Sequence, residues 1–172
     1  MAGRADRQAG QKGLLVGGPA SIHTGSGQQV ARLIEQGWVQ TLFAGNAHAV
    51  QDLEQSIYGT SLGVNIKEGR SADHGHEHHL RTINSIRRLG GIQKAIDAGL
   101  VKSGIMFAAY RQGIDMVLAG SVRDDGPLPQ ALTHILDAQR RMHGMDTSIR
   151  VPLTDSVISA ADLAPPRVPA RG

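Results

Sequence analysis

Cysteine is absent from the 172 residues, which excludes disulfides, thiolate zinc centres and a cysteine nucleophile. The same absence fits a reducing compartment, and a cytoplasmic location is expected. Aromatic residues make up 3% of the chain, so the core must be aliphatic and little is available for stacking on bases. No apolar run approaches the roughly 18 residues of a membrane span. The first residues carry Arg4, Arg7 and Lys12 with no signal-like apolar segment behind them. A concentrated charge is also missing. The sequence pI is 9.7, but the formal net charge is only +3 and the basic residues are scattered. Neither nucleic acid nor a membrane is therefore expected as a partner.

What is present is enough for one domain with a real core: 40% of residues are hydrophobic, and 22 glycines promise many loops. The run Gly13 to Val16, ended by Gly17-Gly18-Pro19, reads as a first buried strand. After a polar loop from Ser21 to Gly27, Val30, Leu33 and Ile34 mark one helical face, with Gly37 placed to stop it. Trp38 to Ala44 reads as a second strand, and Val50, Leu53 and Ile57 mark the next helix, closed by Gly59. The segment from Gly59 to Gly75 reads as loop with a short extended piece at Val64 to Ile66.

Three short helices follow, over His78 to Leu89, Ile92 to Ala98 and Ser103 to Arg111, the last capped by Ser103. Met116 to Ala119 is a further strand. A final helix begins near Pro127 and holds Leu132, Ile135, Leu136 and Gln139 in register. Strands alternating with helices over short connections imply a three-layer α/β fold around a parallel sheet. Residues 1–11 are expected to be a flexible N-terminus, 12–143 the α/β domain, and 144–172 a flexible Pro- and Ala-rich tail.

In such a fold ligands bind beyond the carboxyl ends of the strands. Gly17, Gly18, His23, Thr24 and Gly25 lie between the first strand and its helix, where backbone amides can face an anion such as a pyrophosphate. The stretch is not the Gly-x-Gly-x-x-Gly fingerprint. The second strand ends in Ala44-Gly45-Asn46 with no acid to hold a ribose. Asn46 stands at that strand's exit, with a helix N-cap as its plain alternative role.

After the third strand comes Arg123-Asp124-Asp125-Gly126-Pro127, with two adjacent carboxylates suited to a cationic substrate. One Asp is expected to cap the helix near Pro127 and the other to face the pocket. The run Asp73-His74-Gly75-His76-Glu77-His78-His79 offers imidazoles for proton transfer, His76 and His78 among them. It lacks the His-Glu-x-x-His arrangement, and no metal site is expected.

Together these segments resemble one family. Gly17-Gly18-Pro19 with His23-Thr24-Gly25, Leu42 to Ala47, Tyr58 to Gly63, His74 to Arg81, Ser103 to Met106 and Gly120 to Pro129 look like the NAD-dependent ornithine cyclodeaminase module. That module occurs in archaeal ornithine cyclodeaminases and at the C-terminus of cyanobacterial arginine dihydrolases, and is also labelled a lysine-oxoglutarate reductase/saccharopine dehydrogenase-type domain. The likeness spans about Lys12 to Met142 and implies a nucleotide-binding fold similar to that of deoxyhypusine synthase.

It also implies a reaction without net redox change, in which L-ornithine becomes L-proline and ammonia on a recycled NAD. Such chemistry needs carboxylates for the substrate ammonium groups and a proton acceptor near neutrality; by their own chemistry, not by the resemblance, Asp124 and Asp125 suit the first need and a His such as His76 or His78 the second. Family members carry further segments on both sides of this stretch. The chain is accordingly expected to be an incomplete module, acting as a homo-oligomer or with a complementing subunit. Two alternatives stand beside this reading: a non-catalytic nucleotide-binding or assembly module, and a metal-dependent hydrolase built on the His run.

Overall fold

A computed structural model describes residues 12–65, 70–71, 75–120, 126–145 and 149–152. Three aliphatic strands, Gly13–Gly17 (β1), Thr41–Gly45 (β2) and Asp115–Ala119 (β6), form its centre in parallel register, with Leu15 beside Leu42 and Phe43 beside Val117. Ala131–Leu132 (β7) pairs in parallel with β6, and Ile149–Pro152 (β8) with β1. The sheet order is β7-β6-β2-β1-β8. Leu14, Leu15, Leu42, Val117 and Leu118 are all buried, as strands covered on both faces require.

Strand order also decides where the helices go. Steps from β1 to β2 to β6 run in one direction, so right-handed crossovers put Gly27–Glu35 (α2), Asn46–Tyr58 (α3) and Ile105–Gln112 (α6) on one face. The step from β7 back to β8 runs the other way, which sends Ile135–His143 (α7) across the opposite face, where it packs on β6. The result is the three-layer α/β architecture read from the alternating pattern.

Between α3 and α6 the chain adds Thr60–Ser61 (β3), Val64–Asn65 (β4), Arg70–Ser71 (β5), Gly75–Leu89 (α4) and Ile92–Asp97 (α5). Ile83 and Ile86 of α4 enter the core with Val50 and Leu53 of α3. Each such side chain contributes about 1.5–3 kcal/mol by leaving water. Local signals stop the helices where expected. At Gly37, with φ of 71°, the Gly37 amide donates to Ile34 and the Trp38 amide to Leu33, which closes the last carbonyls of α2.

Several expectations need correction. The loop from Ser21 to Gly27 contains a short helix, Ala20–His23 (α1), whose Ser21 and Ile22 are buried. The second strand begins at Thr41, three residues later than predicted. The segment after Gly59 forms a small antiparallel sheet, β3-β4-β5, apart from the main parallel one. Asn46 is not the cap of α3; Gly45 holds that place. Ser103 does not cap α6, because Gly104 is the cap residue and the capping oxygens come from Asp52.

No helix begins near Pro127. Pro129 biases Leu128 away from helical backbone, the Leu128 amide is held elsewhere, and the chain goes instead into β7. Leu132 is thus a strand residue, and Ile135 and Leu136 of α7 are 71% and 50% exposed, so the expected buried register fails there. Ala138 is the residue α7 buries. The expected tail is corrected at Ile149–Pro152, whose backbone extends the sheet. Residues 1–11 and 153–172 lie outside the described residues.

Candidate active site at the strand ends

β1, β2 and β6 all leave the sheet through glycine: Gly17-Gly18, Gly45 and Gly120. Parallel strands deliver these ends to one edge, and residues without side chains let a flat group come close to the backbone there. A Cβ at Gly17 would stand 3.2 Å from His48 Cε1, whereas one at Gly45 would meet only the Ala119 carbonyl, at 3.8 Å.

Asn46, in the first turn of α3, ties this edge together. Its Nδ2 donates to the Gly126 carbonyl at 3.1 Å, and its Oδ1 accepts from the Leu128 amide at 2.8 Å. Both halves of the buried amide are thereby committed to residues 126–128 of the β6–β7 loop. Two residues on, His48 Nδ1 donates to the Gly18 carbonyl at 2.8 Å and lies 3.3 Å from Ser21 Oγ. The first turns of α3 thus hold the loops after β1 and β6 in place. Gln51 continues this stretch of helix, with a buried Oε1 that has no hydrogen-bond partner among the described residues.

The other candidate residues are placed as follows. His23 ends α1, with its Nδ1 3.3 Å from Ser61 Oγ in β3. Thr24 is exposed and occupied locally, donating to the Ala20 carbonyl at 2.9 Å and lying 3.0 Å from Ser26 Oγ. Amides of Ser21, Ile22, Thr24 and Gly25 bond within this turn, which removes them as anion donors. Gly25, with φ of 76°, faces open space. His78 stacks on Tyr58 at 4.5 Å between ring centroids, and its Nδ1 lies 2.9 Å from Thr60 Oγ1. The side chain of His76 falls outside the described residues, as do Asp124 and Asp125.

Two buried carboxylates on α3 were missed as organising groups. Glu54 accepts from Thr60 Oγ1 and the Gly63 amide, each at 2.8 Å, from the Leu62 amide at 3.1 Å, and faces His79 Nδ1 at 3.3 Å. Burial pushes its carboxyl up, but these donors outweigh burial and hold it below the usual carboxylate range. The turn it fixes packs backbone to backbone on the start of α4, where a Cβ at Gly63 would meet Gly75 at 2.4 Å.

Asp52 accepts from the Ile105 and Met106 amides at 2.9 and 2.7 Å. Burial drives its carboxyl up to about 6 against those two bonds. A signal for Glu54 was in the sequence, since it occupies the apolar stripe of α3 between Val50, Leu53 and Ile57.

Two surface clefts, of about 300 and 290 Å³, open elsewhere: one beside Arg32, Lys102 and Phe107, the other along α4 beside Arg81 and Arg88. Neither receives the end of a strand, so the glycine-edged strand ends remain the candidate site.

A family model described as the arginine dihydrolase ArgZ-like C-terminal Rossmann-fold domain matches residues 3–162 of this fold. The chain belongs to that family. The match runs beyond Gly144, past the point where the sequence reading places the end of the likeness. The ArgZ-like chain is 53% identical over 137 residues to an ornithine cyclodeaminase of Methanocaldococcus jannaschii, covering 79% of this chain and 32% of that protein. It is 50% identical over 136 residues to the bifunctional arginine dihydrolase/ornithine cyclodeaminase AgrE of Nostoc sp., covering 79% of this chain and 19% of that one.

Among solved structures, AgrE in ternary complex with ornithine and NAD+ superposes with a TM-score of 0.77 at 49% identity, over 81% of this chain and 20% of AgrE. A conserved putative LOR/SDH protein of Methanococcus maripaludis gives 0.79 at 44% identity, over 84% and 44%. The ArgZ-like chain thus spans about a fifth to a third of the length of these two curated relatives.

Proposed function

We propose that this chain supplies the dinucleotide-binding part of an ornithine cyclodeaminase, turning L-ornithine into L-proline and ammonia with a recycled NAD. The observation that carries this reading is the edge where β1 and β2 end in glycine and Gly120 follows β6, in a chain about half identical to proteins of that activity. The residues fit the group. Gly45 leaves the sheet edge open, Gly17 makes room for the His48 ring and Gly120 for Thr133, and Asn46 fixes the loop beside them. No acid stands at the end of β2 for a ribose hydroxyl, so adenosine recognition falls to other parts of the assembly.

NAD, when bound, would take a hydride from the carbon bearing the ornithine α-amine and return it after ring closure and loss of ammonia. The chain's own groups would bind and move protons. Gly17 and Gly18 would line the nucleotide, with His23, Thr24, Gly25 and Asn46 around it. Asp124 and Asp125 would hold the two substrate ammonium groups, since opposite charge in a desolvated crevice is a strong anchor for an amine. His78, with His76 as the neighbouring candidate, would take up the proton that an ammonium must lose before its nitrogen can attack.

The protein is expected to work in the cytoplasm as a homo-oligomer or with a complementing subunit. Calorimetric titration with NAD, followed by proline formation from ornithine, tests the reading. Binding of NAD without proline formation in any assembly would favour the alternative of a non-catalytic nucleotide-binding module, which the partial coverage of the relatives supports. Absence of NAD binding would overturn both.

A further inference from the structure

The Thr60 hydroxyl stands between two partners, Glu54 Oε1 at 2.8 Å and His78 Nδ1 at 2.9 Å, and it has one proton to give. Glu54 already accepts from the amides of Leu62 and Gly63 and faces His79 Nδ1. Held below the usual carboxylate range by these donors, it is ionised near neutral pH and can only accept. The Thr60 proton must therefore point to Glu54. That leaves the Thr60 oxygen as acceptor toward His78, so the proton of the neutral imidazole sits on Nδ1.

A ring protonated at Nδ1 carries its lone pair on Nε2. The stack on Tyr58, with 8° between the ring planes, fixes the plane of the imidazole, and the 2.9 Å bond to Thr60 selects the edge that carries Nδ1. We propose that Glu54 is a positioning residue that acts through Thr60 to hold His78 in the Nδ1–H tautomer, presenting Nε2 as proton acceptor to a substrate ammonium group. Its use on substrate rests on the cyclodeaminase reading above; the tautomer itself does not. The bond made by one ring nitrogen decides the chemistry of the other.

Histidine-labelled protein examined by long-range proton–nitrogen correlation at neutral pH reads the tautomer directly, without ligand. In the unaltered 172-residue chain, His78 is expected as Nδ1–H. Thr60→Val removes the acceptor and should move His78 to the Nε2–H form that free histidine favours, whereas Thr60→Ser should restore Nδ1–H. Glu54→Gln should also release it, because an amide cannot take every donor that the carboxylate takes. An Nε2–H ring in the unaltered chain, or the same tautomer with and without the Thr60 hydroxyl, overturns the relay.

In an assembly that turns over ornithine, Thr60→Val should lower kcat/KM by about 10²-fold or more and move the acidic limb of its pH profile, with Thr60→Ser close to the original. An unmoved limb would refute the acceptor role. If ornithine is not turned over at all, the cyclodeaminase reading fails while the tautomer result stands.

Discussion

Replacing Asp52 by asparagine isolates the energetic effect of one buried carboxylate. Its oxygens take the amides of Ile105 and Met106 and so cap α6, while burial raises its carboxyl from 3.8 to about 6. A carboxyl whose folded value lies above its unfolded value binds more protons in the native state. Its contribution to stability is then fully present below 3.8 and is lost as pH rises through about 6. At about 1.4 kcal/mol per pH unit, a rise of roughly 2 units makes this loss about 3 kcal/mol.

The asparagine side chain of the variant cannot titrate, so that slope should vanish. Its carboxamide can accept only one of the two N–H groups, and leaving the other unsatisfied costs about 1–3 kcal/mol at every pH. Urea unfolding of the original chain and of Asp52→Asn at pH 4, 5, 6 and 7 reads the difference between the two curves. All other titrating groups are common to both, including Glu54, whose lowered carboxyl gives stability that is lost as pH falls, and they cancel. The variant should be the less stable of the two at pH 4 and should close on the original by about 2.4 kcal/mol at pH 7, since about 0.5 kcal/mol is already lost at pH 4. A constant difference across the range would refute the reasoning, for Asp52 would then be equally acidic folded and unfolded.

Gly104→Ala should destabilise by at least about 2 kcal/mol in the same assay, from its positive φ together with crowding. Its Cβ would fall 2.7 Å from Asp52 Oδ1 at φ of 97°. Asn46→Ala strands the Leu128 amide and should cost about 1–3 kcal/mol, with faster hydrogen exchange at Leu128; unchanged exchange there would mean that the β6–β7 loop is held by something else. Asparagine substitutions at Asp124 and Asp125, made one at a time in whichever assembly is active, should raise KM for ornithine with little change in melting temperature; equal loss of stability with unchanged binding would reduce the pair to a turn. Ile86→Ala, in the core between α3 and α4, should cost about 2–5 kcal/mol by leaving a cavity, a loss that melting curves will register.

By itself the sequence determined the architecture and the edge at which the parallel strands end. Aliphatic runs ending in glycine, alternating with amphipathic stretches, leave few solutions other than strands side by side with helical crossovers, and both patterns are local properties of the chain. The same runs already named Gly17-Gly18 and Gly45-Asn46 as strand exits. Only the tertiary structure decided what the polar residues of α3 do. Asn46, Asp52 and Glu54 look alike in sequence, each an acid or amide on a helix, yet one holds residues 126–128, one caps α6 and one anchors the turn after β3. Their partners lie up to 82 residues away, and hydrogen-bond pairing across that distance leaves no periodic trace. The same reason hid β7, whose two residues form a strand because β6 offers an edge and Asn46 holds the loop that leads to it.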